Sequence, residues 1–390
     1  MSHWLLRYAN TFTTLKLRVL ITNNTFADRA GSELYAKDLA IGLLHRGHTP
    51  IAYSTRLGTV AEELREATVP VVDDLNSVAV TPDIIHGQHH VETMSALMHF
   101  PDVPAVYFCL GWSPWEEKPP RFPRIRHYVV VDDVCRDRLV YQEGIAEEKI
   151  SIIRNCVDLN RFKTRPKLPE KPKRALVYSN YAGEGNQLRT IREACARVGI
   201  AVDVIGLENG NPSTEPESIL GRYEVVFAKG RSAFEAMAAG AAVIVCDYAG
   251  VGPMVTTSEF DWLKRMNFGL RALSNTASSD DIARELTRYD PRDAAQVTRR
   301  IRASSGLEAA LDDLETVYEK VLTEHRTRDG NNHPEAEARA IAEYLRNLAF
   351  HIRQDQDAIY NSESYRLGNF LVRTPALRLV KRFWKRAKDQ

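Results

Sequence analysis

Cysteine is scarce and scattered: Cys109, Cys135, Cys156, Cys195 and Cys246 are all that 390 residues hold. None forms a C-x-x-C pair, which argues against a cysteine-based zinc module and against a disulfide framework. Most sit among apolar residues, as free buried thiols do, and a reducing, cytoplasmic setting is expected. Long apolar runs are lacking too, since no stretch approaches the roughly 20 residues of a membrane span. The opening "MSHWLLRYANTFTTLKL" has no charged start, no long apolar core and no clear cleavage site, so it does not read as a secretory signal. An excess of charge is also missing. Lys and Arg total 52 against 51 for Asp and Glu, a net of +1, and no nucleic-acid partner is expected.

What is present is alternation. "LRVLITN" (17–23) is β-branched and apolar, "SELYAKDLAIGLLHRG" (32–47) is amphipathic with helical spacing, and "TPIAYS" (49–54) returns to strand. Strand-like runs follow at 82–87, 104–109, 127–133 and 149–155. The basic, proline-rich "KTRPKLPEKPKR" (163–174) reads as a linker that buries nothing. Beyond it the pattern restarts, with strands at 175–180, 201–206, 224–228 and 241–247 and helices at 187–198 and after Arg231. Gly47, Gly199 and Gly240 each stand between a helical run and a strand, where a left-handed residue ends the helix. The expected fold class is α/β: two parallel-sheet domains facing a cleft, with a helical C-terminal extension. The expected bounds are 17–162, a linker 163–174, 175–325, and an extension 326–390, with helices over 279–302, 306–325 and 335–358.

Ligands of open parallel sheets bind at the carboxyl ends of strands, so function is sought in the loops there. In "AKGRSAFEAMAAG" (228–240), Ser232 to Glu235 matches a capping box, with the glutamate reaching back to the cap. The same turn also suits a diphosphate: Gly230 and Ser232 open a helix whose free N–H groups attract anions. Lys229 and Arg231 add charge beside it, and Glu235 is placed to accept from ribose hydroxyls. In the first half, Gly31 and Ser32 occupy the matching turn, where a glycine lets a ligand approach the backbone. "PDIIHGQHHVET" brings His86, His89 and His90 to the end of a strand. No acid or cysteine set accompanies them, so no metal is expected. His86 and His89 are candidates for hydrogen bonding or general-base work in the cleft, or members of a polar loop. "YAGVGPMVT" (248–256) offers Gly250 and Gly252 as backbone that wraps a sugar or phosphate, or as an ordinary tight loop.

The runs "GSELYAKDLAIGLLHRGH", "PDIIHGQ", "EKISIIRNCVDLNRF" and "FEAMAAGAAVIVCDYAGVGPMV" resemble, in that order, the signatures of nucleotide-sugar glycosyltransferases of two-Rossmann-domain (GT-B) architecture, nearest to glycosyltransferase family 4. The resemblance covers about residues 17–325. It implies transfer of a sugar from a UDP- or GDP-sugar to a glycan or lipid-linked acceptor, with retention, in surface polysaccharide synthesis, and without metal or other cofactor. It implies that Glu235 meets the nucleotide ribose and that Gly31 meets the donor phosphates and sugar. Asn155 and Asp158 match its "N-G-V-D" segment, with Cys156 in place of glycine. Two positions depart from the pattern. Phe227 stands where the family has a second glutamate, eight residues before Glu235, and Leu110 stands where it has a histidine. Lys229 and Arg231 are proposed from charge and position, to offset the charge of the leaving diphosphate. A nucleotide-sugar epimerase on the same scaffold, or a catalytically silent sugar-nucleotide-binding partner subunit, are the competing readings.

From Arg366 to Lys388 eight basic residues (Arg366, Arg373, Arg378, Lys381, Arg382, Lys385, Arg386 and Lys388) run without an acid. Leu371, Leu377, Val380 and Trp384 interleave at helical spacing. This describes a basic amphipathic segment suited to an anionic membrane surface, or one docked on the protein itself. A peripheral position on the inner face of the membrane is the corresponding expectation.

Overall fold

The computed structural model describes residues 16–273, 278–327 and 334–373. The first sheet has seven strands: β1 (Arg18–Thr22), β2 (Thr49–Tyr53), β3 (Val71–Val72), β4 (Ile84–Gln88), β5 (Ala105–Cys109), β6 (Ile125–Val130) and β7 (Ile150–Ile152). Their order is β3-β2-β1-β4-β5-β6-β7 and every pairing is parallel. Parallel strands are covered on both faces, which explains their short, almost wholly apolar runs. Helices α1 (Gly31–His45), α2 (Thr59–Glu66), α3 (His90–His99) and α4 (Asp133–Asp137) follow β1, β2, β4 and β6.

The second sheet takes β8 (Arg174–Tyr178), β9 (Ala201–Ile205), β10 (Val225–Ala228), β11 (Ala242–Asp247) and β12 (Gly250–Met254) in the order β12-β11-β10-β8-β9. Helices α5 (Gln187–Arg197), α6 (Pro216–Ile219), α7 (Gly230–Ala238), α8 (Phe260–Arg265), α9 (Ser279–Leu286) and α10 (Pro291–Ser304) belong to this half. Gly47, Gly199 and Gly240 have φ of +87°, +73° and +95°, so the three helix ends use glycine as the sequence suggests. The helix expected over 279–302 is two helices, because Pro291 opens α10 and Asp290 caps it through the N–H groups of Arg292 and Asp293.

The chain crosses between the halves twice. Phe162, the last residue of the expected first domain, is fully buried in the core of the second sheet, with Val157. Helix α11 (Leu307–Thr327), all but its last two residues, lies within the stretch expected in the second domain. Its Leu311, Leu314, Tyr318 and Val321 are instead part of the core of the first sheet. The crossings run side by side: Val157 donates to the Ser305 carbonyl at 2.9 Å and Leu307 donates to the Val157 carbonyl at 2.9 Å. The 163–174 segment is not bare of burial either, since Leu168 packs with Ala242 and Ala294.

Among the described residues, 334–373 together with 120–123 belong to a unit of their own. Within it, α12 (Pro334–Asn361) has no buried residue and α13 (Glu363–Arg373) follows after Ser362. Of the basic segment 366–388, only Arg366 to Arg373 fall on α13. Positions 374–388 lie outside the described residues. Among the described residues no helix is long and apolar enough to cross a membrane.

Gly250 and Gly252 do not form the wrapping loop that was expected. They lie on β12, which pairs antiparallel with β11, and neither lines the cleft. A Cβ on Gly252 would stand 2.2 Å from the Ala272 carbonyl oxygen, so the glycine serves backbone packing. Gly252→Ala is therefore expected to destabilise the protein by about 1–3 kcal/mol, the usual cost of overpacking, seen as a lower melting temperature with the nucleotide affinity of the folded protein unchanged.

Candidate active site

At the carboxyl ends of β1, β4, β8 and β10 the chain opens into a cavity of about 970 Å³. These strands are the neighbours at which the order of each sheet reverses, where doubly wound sheets hold ligands. From the first sheet come Asn24, Gly31, Ser32 and His89, and from the second Ser179, Tyr181, Lys229 and Gly230. Both helix starts lack a side-chain cap. The Gly230 N–H donates to the Phe268 carbonyl at 2.9 Å, and the next first-turn N–H groups of α7, like those of α1, are left for a ligand. A Cβ on Gly31 would meet nothing within 4 Å, so the space before it is open.

No family model and no curated protein matches the sequence. Among solved structures the chain is similar to a glycosyltransferase from Rickettsia africae, with a TM-score of 0.53 and 14% identity over 79% of this chain and 99% of that one. It is also similar to Anabaena HepE in complex with UDP-glucose, with a TM-score of 0.55 and 13% identity over 78% of this chain and all of that one. HepE in complex with UDP gives a TM-score of 0.57 at the same coverage. The fold is GT-B.

Within the GT-B cleft the expected residues separate. Gly31, Ser32, His89, Lys229, Gly230, Arg231, Ser232 and Glu235 line it together. His86 does not. It is fully buried, stacked on Phe108 at 4.0 Å between centroids, with Nδ1 2.7 Å from the Tyr318 hydroxyl of α11. Burial pushes its pKa down to about 3, and its position is that of a core residue. The capping box does not form either. Helix α7 begins at Gly230 with Lys229 at the cap position, so Glu235 lies beyond the first turn.

Glu235 instead joins a buried network. Its Oε2 accepts from the Tyr178 hydroxyl at 2.8 Å, and its Oε1 from Arg231 Nε at 2.8 Å. Arg231 also pairs with Asp38 of α1, which Arg161 approaches at 3.4 Å. Burial alone would raise the Asp38 pKa, yet Arg231 and Arg161 hold it below the ordinary carboxylate range. Arg231 is thus engaged by two carboxylates from the two halves of the fold. It positions Glu235, and its charge is already matched. Lys229, a quarter exposed, pairs with buried Asp247, whose other oxygen accepts from the Ser179 hydroxyl at 3.2 Å. Its ammonium stands 5.8 and 5.5 Å from the ring centres of Tyr181 and Tyr248, two half-exposed aromatics on the cleft wall.

The two departures from the family pattern have clear settings. Phe227 is a core residue of β10, so the position eight residues before Glu235 is packed inside the sheet and does not line the cleft. Leu110 lines the cleft, and its N–H donates to Glu117 Oε2 at 2.9 Å. Glu117 was not singled out from sequence. It is buried, lines the cleft, and its Oε1 lies 3.7 Å from His89 Nε2. Burial pushes the Glu117 pKa up to about 7, which the N–H groups of Leu110 and Gly111 only partly offset. His89 sits at φ +56° and takes the Asn24 N–H on Nδ1 at 3.2 Å. Its Nε2 therefore carries the hydrogen, and burial with His90 nearby lowers its pKa to about 4. The ring is a donor facing Glu117, and the carboxylate is the base of the pair. Among the described residues no cluster of His, Cys, Asp or Glu suits a metal ion.

Proposed function

We propose that the protein is a glycosyltransferase that moves a sugar from a nucleoside-diphosphate donor, a UDP- or GDP-sugar, to a glycan or lipid-linked acceptor. The observation that carries this reading is the single cleft at both sheet switch points, with the uncapped start of α7 and Lys229 on one wall. The diphosphate is assigned to that helix start, with Lys229 offsetting its charge as the bond to the sugar breaks. The ribose is assigned to Glu235, whose carboxylate oxygens keep lone pairs beyond those used by Tyr178 and Arg231. The base is assigned to the faces of Tyr181 and Tyr248. The acceptor is assigned to the first-sheet wall, where Leu110, Trp112 and Pro114 give an apolar face beside Glu117.

In the proposed step an acceptor hydroxyl oxygen bonds to the anomeric carbon as its bond to the diphosphate oxygen breaks. The electron pair leaves on the diphosphate, and the hydroxyl proton passes to Glu117. This is a single displacement with inversion, in place of the retention that the resemblance to family 4 implies. It rests on a core phenylalanine where that family has a second glutamate and on a carboxylate beside Leu110. Support for a UDP-sugar comes from HepE, which holds UDP-glucose in the same fold.

A panel of nucleotide sugars with purified protein tests the reading, and absence of both donor binding and transfer would overturn it. Glu235→Gln should weaken UDP or GDP binding roughly tenfold, as expected for a lost charge-assisted hydrogen bond. Calorimetry measures this, and unchanged affinity would remove Glu235 from the site.

A further inference from the structure

A second cavity, of about 410 Å³, lies away from the cleft, between the 164–168 segment and α10. Its lining carries Arg165, Lys167, Arg299 and Arg302 and not one acid. Two of these cations have structural work. Arg302 donates to the Phe162 carbonyl at 2.7 Å and the Ala238 carbonyl at 3.1 Å, which satisfies the end of α7. Arg165 donates to the Tyr223 carbonyl and lies 3.5 Å from Glu224, while its Nε is buried without a partner. Lys167 and Arg299 are exposed and make no ion pair or hydrogen bond among the described residues.

Three nearby acids are committed elsewhere, and Glu170 does not line the cavity. Glu224 takes the N–H groups of Lys173 and Arg174, Asp290 caps α10, and Asp293 holds Thr257. Glu224 balances Arg165, so Lys167, Arg299 and Arg302 leave the cavity positive. The carbonyls at the end of α7, which would repel an anion, are covered by Arg302 and by the N–H of Arg165, which donates to Ala239 at 2.9 Å. Like charges gathered without counter-ions destabilise a fold unless something relieves them. The cavity is also far larger than one phosphate group.

We propose that this cavity is a second ligand site, taking a phosphate group that carries at least two negative charges together with part of the molecule that bears it. A soluble phosphorylated compound and a phosphomonoester lipid headgroup share that chemistry. The test uses the full chain with inorganic pyrophosphate in calorimetry, and with phosphatidylcholine vesicles doped with phosphatidic acid in co-sedimentation. The Lys167→Ala/Arg299→Ala variant removes the two exposed cations and should not lower the melting temperature. It should weaken pyrophosphate binding roughly tenfold or more, through loss of two charge-assisted contacts. Lys229→Ala separates this site from the cleft and should leave the component lost in the double variant intact. Vesicle binding that falls in the double variant identifies a lipid headgroup. Pyrophosphate binding that falls without any vesicle binding identifies a soluble ligand. No pyrophosphate binding by the wild-type chain, or equal binding by wild type and the double variant, overturns the proposal.

Discussion

Glu117→Gln is expected to lower the rate of sugar transfer roughly 10²–10⁴-fold, the usual contribution of a positioned acid–base group, with donor affinity nearly unchanged. The amide keeps the shape of the carboxyl group and its contact with the Leu110 N–H, but it cannot take a proton. The pH profile separates this role from a structural one. A base works ionised, and Glu117 is pushed up to about 7 by burial. Wild-type activity should therefore climb as pH rises through about 7 and level off above it. The small residual activity of the variant should lack that limb. Glu92, on α3, is also pushed up to about 7 by burial but does not line the cleft. Glu92→Gln should keep the limb, which makes it the control. Proton NMR of the first product gives the anomer, and inversion is expected. Full activity in Glu117→Gln with a retained anomer would sink the single displacement.

Arg231→Met is expected to destabilise the fold by about 3–5 kcal/mol, the usual result of removing one partner from a buried ionic group. The methionine keeps most of the apolar stem but leaves Asp38 and Glu235 buried with less compensation. Arg161 and the Tyr178 hydroxyl still reach them, which limits the loss. The pH dependence follows from the Asp38 shift. Its native pKa is depressed, so its stabilising contribution is present above its unfolded value of about 3.9 and fades as pH falls through the native value. The gap between wild type and Arg231→Met should be full at pH 7 and should close in acid below about pH 4. Melting temperatures across this range provide the measurement. Adding Asp38→Asn should recover part of the loss, because it removes one uncompensated charge. An Arg231→Met protein as stable as wild type at pH 7 would show that the network is loosely held.

Most of the architecture was legible because buried parallel strands are short apolar runs and each helix begins at a turn after one. The two-residue β3 is too short to leave such a run. The sequence of β12, "GVGPM", carries the glycine and proline that argue against a strand. The helix starts of the site were legible for the same reason as the strands. Side-chain roles were not, because distant parts of the chain decide them. His86 follows an apolar run, as a cleft histidine would, but its partner Tyr318 lies 232 residues away on α11. Arg231 reads as a free cation until α1 brings Asp38 to it from 193 residues away. Glu117 sits in the polar run "PWEEKP", which looks like solvated loop. Only the return of that turn beneath Leu110 buries its carboxylate.

The paired crossings at Val157 and at Ser305 to Leu307 tie the two halves together by two segments rather than one. With a single crossing strand, one half could swivel freely against the other. Here two strands pass the boundary together, tied by hydrogen bonds in both directions. Two ties restrain twisting of one half on the other more than one tie would, and the ion pairs Asp38–Arg231, Asp133–Arg265 and Asp137–Arg271 join the halves at further points.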